Sequence, residues 1–403
     1  MPLLTRKIRV IIMCSLITVF FITAPLTLLY TAGFRYSFSE HQIKRTGVLN
    51  IDAKPTDMEV TLNNVRQKSK LPLYLPNRAP GTYKIILSKP GYQTWEKDIV
   101  IASNQTTYIK DVTLFKRTLP AQILKERDAP LSIIFSPTAK YALLVSQDKN
   151  NQNICEVDLY NPVADLVNPI FRSRVNEQPM ISWSPFAEFA TIFTKQNNTF
   201  SAQIFDAGNP DTAPIYLFKA PITNYKWVKD SLGPAVYIQS DDATYLINSM
   251  EKKKAPNINF DIVNDTEKYS IAREDNNLQI TQTKNGANEE TKTISTQNII
   301  YNAQTKEWIA WSPWELWIIY PNGATALLNR TSDKINFVVP LDKYGLLLLA
   351  SENKITGFNP GYYVTHELFS NGKIDSIGAD IVNRKIYFLG EVGGKRGVWG
   401  LEY

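Results

Sequence analysis

The stretches SIIFSPTAKYALLVS (132–146) and MISWSPFAEFATIFT (180–194) carry one pattern twice. Each is a short apolar strand, a Ser-Pro turn, and a second strand opening on an aromatic or aliphatic residue. Divergent copies come after them in NYKWVKDSLGPAVYIQ, NFDIVNDTEKYSIAR, NIIYNAQTKEWIAWS, NFVVPLDKYGLLLLA and DSIGADIVNRKIYFLG. With Phe135, Trp183, Trp227, Ile262, Tyr301, Val338 and Ile377 as anchors, the steps are 48, 44, 35, 39, 37 and 39 residues.

A mean step of about 40 residues fits a four-stranded propeller blade and exceeds the roughly 34 residues of a helix-pair repeat. No run of helical period occurs in residues 118–403, so the expected fold is mainly β, with seven copies making seven blades. The last copy ends at GVWGLEY, a third strand with no fourth behind it. The missing strand is expected near Leu119–Lys125, ahead of the first copy. Pairing the two ends of the array removes its exposed edges.

The phrases Ser136-Pro137-Thr138-Ala139-Lys140-Tyr141 and Ser184-Pro185-Phe186-Ala187-Glu188-Phe189 resemble the Ser-Pro-Asp-Gly-Lys strand-turn of tricorn-like and Tol-associated bacterial propellers. Only these two copies match well, and neither keeps the Asp-Gly. The Gly-His and Trp-Asp pairs of WD repeats are absent.

Outward toward the N-terminus, no charged residue or histidine lies between Arg9 and Arg35. Those 25 residues would span ~37 Å as a helix, against a hydrocarbon core of about 30 Å. Pro25 is tolerable in such a helix. Arg6, Lys7 and Arg9 precede the span, which places the N-terminus in the cytoplasm and everything after about residue 35 outside it. A cleaved signal peptide is the alternative, but the apolar run is long for one, and bulky Tyr30 sits where cleavage after Ala32 would want a small residue. Cys14 and Cys155 then lie in different compartments and do not pair.

Between anchor and array the chain reads as short strands: GVLNIDAKP, MEVTLNN, TYKIILSK, EKDIVIA and TTYIKDVTLF, with turns at Pro80-Gly81 and Pro90-Gly91. A small β-sandwich is expected. With Leu71-Pro72-Leu73, Ala79-Pro80-Gly81-Thr82-Tyr83 and Lys89-Pro90-Gly91-Tyr92, residues 47–117 resemble the PEGA domain family. The namesake turn is here Pro55-Thr56-Asp57-Met58, which puts any ligand tied to that turn in doubt. The resemblance implies a binding or spacer module in an envelope or surface protein. The divisions are thus 1–35 (cytoplasmic N-terminus and transmembrane anchor), 36–117 (PEGA-like domain) and 118–403 (propeller).

Residues 41–117 hold 13 Lys/Arg and 6 Asp/Glu, whereas residues 118–403 hold 27 and 31. The basic domain therefore has the charge to rest on anionic headgroups or wall polymer, although a solvated lysine-rich surface explains it equally. A net charge of +6 is too small to imply nucleic acid. Two cysteines exclude a disulfide scaffold and a cysteine zinc site.

No nucleophile elbow, Walker loop, His-Glu-x-x-His or calcium loop is present. His366 stands alone in YYVTHELF. Neither an enzyme nor a cofactor is expected, and no metal site. Two constellations remain. In EWIAWSPWELWIIY, Trp308, Trp311, Trp317 and Tyr320 fall on strands, where rings pack between blades. Trp314 falls in the turn between second and third strands, where it either folds back on the next blade or stands free to stack on a sugar or anchor a protein. The other second-to-third-strand turns carry Asp148, Asn150, Asn197, Asp241, Asp242, Glu274, Asp275, Glu352 and Glu391. These form an acidic rim for a cation or basic partner, or are turn formers with no ligand. The expected function is a single-pass, membrane-anchored, extracytoplasmic binding or scaffold protein. Its propeller face recognises an envelope protein or polysaccharide. The alternatives are a wall spacer without a discrete ligand and an accessory subunit of an envelope enzyme.

Overall fold

The computed structural model describes residues 6–37, 42–68, 70–125, 127–148, 151, 154–174, 179–196, 199–212, 214–241, 243–284, 287–296 and 298–403. These fall into two compact units, Met1–Lys116 and Arg117–Tyr403.

The N-terminal unit opens with a 26-residue helix, Arg6–Thr31, with Pro25 inside it. Its segment Ile8–Thr31 is long and apolar enough to cross a membrane, and none of it is buried against protein. Its threonine hydroxyls are not left bare. Thr18, Thr23, Thr27 and Thr31 donate to the carbonyls of Cys14, Val19, Thr23 and Thr27 at 2.8–3.0 Å. That is how a polar side chain is satisfied on an apolar helix. The helix stops at Gly33, whose left-handed φ of +76° caps its end.

The β part of this unit has a two-stranded sheet, Phe34–Ser37 with Gln42–Arg45, and then a three-stranded and a four-stranded sheet. Gly47–Lys54 is the centre of the three-stranded sheet, antiparallel to Leu73–Arg78 and parallel to Thr106–Thr113. Glu59–Leu62, Val65–Arg66, Gly81–Ser88 and Trp95–Ile101 make the four-stranded sheet. Along Gly47–Lys54 every second residue is buried, as a strand with one face on a core requires. Leu49, Ile51, Ile85, Leu87, Trp95, Ile109 and Phe115 form that core. The turn carrying Pro55-Thr56-Asp57-Met58 is tied to the second signature turn, because Lys89 Nζ lies 2.7 Å from Asp57 Oδ1. This hydrogen bond holds the Asp57 carboxyl below its ordinary range.

The C-terminal unit is built from seven four-stranded antiparallel sheets. All seven sequence anchors lie on first strands: Ser132–Phe135, Met180–Trp183, Ile222–Asp230, Ile262–Asp265, Asn298–Asn302, Phe337–Pro340 and Lys373–Asp380. Six sheets are uninterrupted meanders. The seventh takes its fourth strand from Ala121–Ile123, which pairs with Lys395–Glu402 in the register Ala121↔Gly400, Gln122↔Trp399, Ile123↔Val398.

Neighbouring sheets share apolar cores. Leu143 and Val157 of the first sheet pack on Ala190 and Ile192 of the second. Phe193 and Ile204 of the second meet Trp227 and Val236 of the third. Ile271 and Ile280 of the fourth meet Ala310 and Ile319 of the fifth, and Ile309 and Leu316 meet Val338 and Phe358 of the sixth. Phe369 and Phe388 join sixth and seventh with ring centroids 5.4 Å apart. Ile133 and Leu144 of the first pack on Leu389 and Val398 of the seventh.

The indole N–H groups repeat a backward reach. Trp183 donates to the Ile134 carbonyl at 2.9 Å, Trp227 to Ser182 Oγ at 2.8 Å, and Trp308 to Tyr269 Oη at 3.2 Å. Each tryptophan thus buries its ring at a junction and satisfies its N–H on the preceding sheet.

Candidate functional site

In a four-stranded meander, the turn joining second to third strand lies at the end where the first strand begins and the fourth finishes. The connections between sheets are short, so these turns and the connections all share one end of the array. Hydrogen bonds mark that end. Thr331 N donates to the Trp314 carbonyl at 3.1 Å, Ile335 N to Pro313 at 2.8 Å, and Ile374 N to Glu352 at 2.8 Å.

The fifth-sheet strands are Glu307–Trp311 and Glu315–Ile319, and Trp314 sits in the turn between them. The ring is 52% exposed. Its backbone is held: the Trp314 and Glu315 N–H groups donate to Ser312 Oγ at 3.3 and 3.1 Å. Trp308, Trp311 and Trp317 behave differently, packing half-buried against the fourth and sixth sheets. Trp314 and Glu352 border one groove of about 580 Å³, with Asp333, Lys334 and Lys373. Lys354 bridges Asp333 at 3.1 Å and Glu367 at 3.6 Å, which fixes that wall. Trp314→Ala is expected to leave stability within about 0.5 kcal/mol, because an exposed ring contributes little burial. Thermal melting measures this, and a large loss would mean that the ring packs.

The other candidates are spread over the array. Asp148 is half-buried beside the first sheet and pairs with Arg172, which also holds Glu156 at 2.9 Å. Asp158, further along that sheet, is paired with Arg127 at 2.6 Å. The Asp148 carboxylate is therefore engaged within the sheet. Asp241 turns the third sheet and Asp275 the fourth, with left-handed φ of 52° and 50°. Asp and Asn tolerate that conformation best after Gly, so turn geometry accounts for these residue types. Glu274 is exposed beside Asp275, and Glu391 is exposed on the seventh sheet. Asp242, Asn150 and Asn197 lie outside the described residues. Among the described residues no group of three His, Cys, Asp or Glu side chains converges as a metal site. His366 pairs with Gly357 across the sixth sheet, and burial lowers its pKa.

A larger cavity lies elsewhere. About 900 Å³ runs along the first strands of the third, fourth and fifth sheets. It extends past Glu267 and Lys268 in a first-to-second-strand turn, at the end opposite Trp314. Sequence reasoning missed it. Trp227 and Tyr301 served there only as repeat markers, and they are among its walls.

Residues 46–116 match the family model of the PEGA domain. Among solved structures, the chain is similar to the beta-propeller domain of Cps50 (Swd1) from Myceliophteria thermophila, at 12% identity over 70% of this chain and 99% of that one, TM-score 0.45. It is similar also to hydrazine synthase of Kuenenia stuttgartiensis (12%, 69% and 98%, TM-score 0.41) and to a chain of a mitotic checkpoint complex (9%, 72% and 93%, TM-score 0.43). No curated protein matches the sequence.

Proposed function

We propose that the chain is a membrane-anchored, non-enzymatic binding scaffold of the cell envelope. In this reading the uncharged part of the helix after Arg9 spans the membrane, with Arg6, Lys7 and Arg9 on the cytoplasmic side. The PEGA match supports an extracytoplasmic place for the residues beyond the span. The seven sheets are the blades of one ring, and the end bearing Trp314 recognises a protein or polysaccharide of the envelope. The observation that carries the reading is Trp314 itself. A large ring stands half in solvent on a turn fixed by hydrogen bonds, beside a groove walled by both carboxylates and ammonium groups. Exposed aromatics on rigid supports supply much of the energy at recognition surfaces.

The test is capture of partners from detergent-solubilised envelope by the full-length chain, side by side with Trp314→Ala. A discrete partner whose capture falls at least about tenfold in the variant, at unchanged melting temperature, supports the reading. Equal capture by both forms removes Trp314 from the interface.

A further inference from the structure

The cavity along the first strands of the third to fifth sheets has a composition unlike the Trp314 groove. Its apolar walls come from Tyr225, Trp227, Phe260, Tyr301 and Trp308. Four cations, Lys226, Lys268, Arg273 and Lys306, line it with Glu267 as the single carboxylate. None of the four cationic side chains makes a hydrogen bond or ion pair among the described residues. Their charges are therefore open to a ligand.

Burial lowers the Lys226 pKa; of its charged neighbours Asp265 opposes that shift and Arg273, to a smaller degree, adds to it. A half-buried ammonium is stabilised by an anion placed beside it. Asn264, on the same wall, has a buried Nδ2 with no acceptor among the described residues. A buried amide donor without a partner costs free energy that a ligand oxygen restores.

The first strand of the fourth sheet, Ile262–Asp265, runs along the cavity and has a bulge between Ile262 and Asn264. A volume of 900 Å³ lies within the range of small-molecule sites, roughly 300–1,000 Å³.

We infer that this cavity is a binding site for a small anionic molecule with a flat or ring-shaped apolar face. Its acid group would meet Lys226 and Arg273, and its ring would stack among Trp227, Tyr301 and Trp308. Such chemistry is shared by aromatic acids and acidic sugars. The site is separate from the Trp314 groove and does not depend on the partner proposed there.

The test titrates the full-length chain in neutral detergent, read by tryptophan fluorescence and calorimetry. The probes are naphthalene-1,5-disulfonate and digalacturonate, with naphthalene-1,5-diol and galactobiose as uncharged counterparts. One anion is expected to bind saturably near one per chain, at least about tenfold tighter than its uncharged counterpart, and the one that does assigns the class. Lys226→Met and Arg273→Gln should each weaken it about tenfold without lowering the melting temperature, and Tyr301→Ala should also weaken it. Trp314→Ala should leave it unchanged. Millimolar or absent binding of both anions, equal binding of the uncharged pair, or indifference to both cation substitutions would overturn the inference. Loss of partner capture with intact anion binding would concern the Trp314 surface alone.

Discussion

Trp95→Ala is expected to destabilise the β part of the N-terminal unit enough to open it to protease at ordinary temperature. The indole is 1% exposed and is the largest fully buried side chain among the described residues. It opens the strand Trp95–Ile101 and pairs in register with Leu87, itself fully buried. Truncating a buried tryptophan to alanine costs about 3–5 kcal/mol, because the transfer term and the cavity both count. A domain of this size is stable by only about 4–10 kcal/mol, so one truncation removes from about a third to all of the margin. The C-terminal unit has separate cores, formed by its own sheets. Limited proteolysis should therefore show rapid cleavage within residues 46–116 and a persistent fragment covering the seven sheets. Cleavage no faster than in the wild type would mean that Trp95 is not the keystone its burial indicates. Leu87→Ala, at about 2–5 kcal/mol, should produce a graded version of the same loss.

The repeat could be read from the sequence because the anchor is an apolar or aromatic residue in every copy, and all seven anchors fall on first strands. At Trp183 and Trp227 the anchor also fills a junction and donates an N–H to the preceding sheet. The fourth strand of the last sheet was legible for a similar reason, since GVWGLEY leaves a copy one strand short and Ala121–Ile123 supplies it. The parallel pairing of Gly47–Lys54 with Thr106–Thr113 was not legible, because no local pattern encodes a partner over fifty residues away.

The candidate sites divide along the same line. Trp314 could be singled out because its place in a turn is a local property, and the structure leaves it exposed. The acidic turn residues looked alike in sequence but differ in surroundings. Asp148 is taken up by Arg172, Asp241 and Asp275 adopt left-handed turns, and Glu352 alone joins the Trp314 groove. The cationic cavity was invisible because Lys226 and Arg273 stand on different sheets. Only the stacking of those sheets brings the two side chains to a common space.

Gly378→Val is expected to lower the melting temperature of the C-terminal unit by about 6–12 °C. Gly378 lies on the first strand of the seventh sheet, and a Cβ built there would meet Cβ and Cγ of Phe135, both at 2.6 Å. Phe135 cannot easily yield. It stacks on Tyr387 with centroids 6.4 Å apart, and Ser376 Oγ donates to the Ile133 carbonyl at 2.8 Å on the same junction. Overpacking of this kind costs about 1–3 kcal/mol and occasionally more. With contact to a neighbour's Cβ the upper figure applies, and each kcal/mol corresponds to about 2–4 °C in a unit of this size. Gly400→Ala is the matched control, since its Cβ would find nothing nearer than 3.6 Å, and its melting temperature should stay close to wild type. The pair of variants bears directly on whether the array is one ring. In an open array the first strand of the seventh sheet would face solvent, and a valine there would favour the strand slightly. A melting temperature for Gly378→Val equal to or above wild type would therefore count against packing of the last sheet on the first, whereas a loss confined to Gly378 places the junction where Phe135 and Gly378 meet.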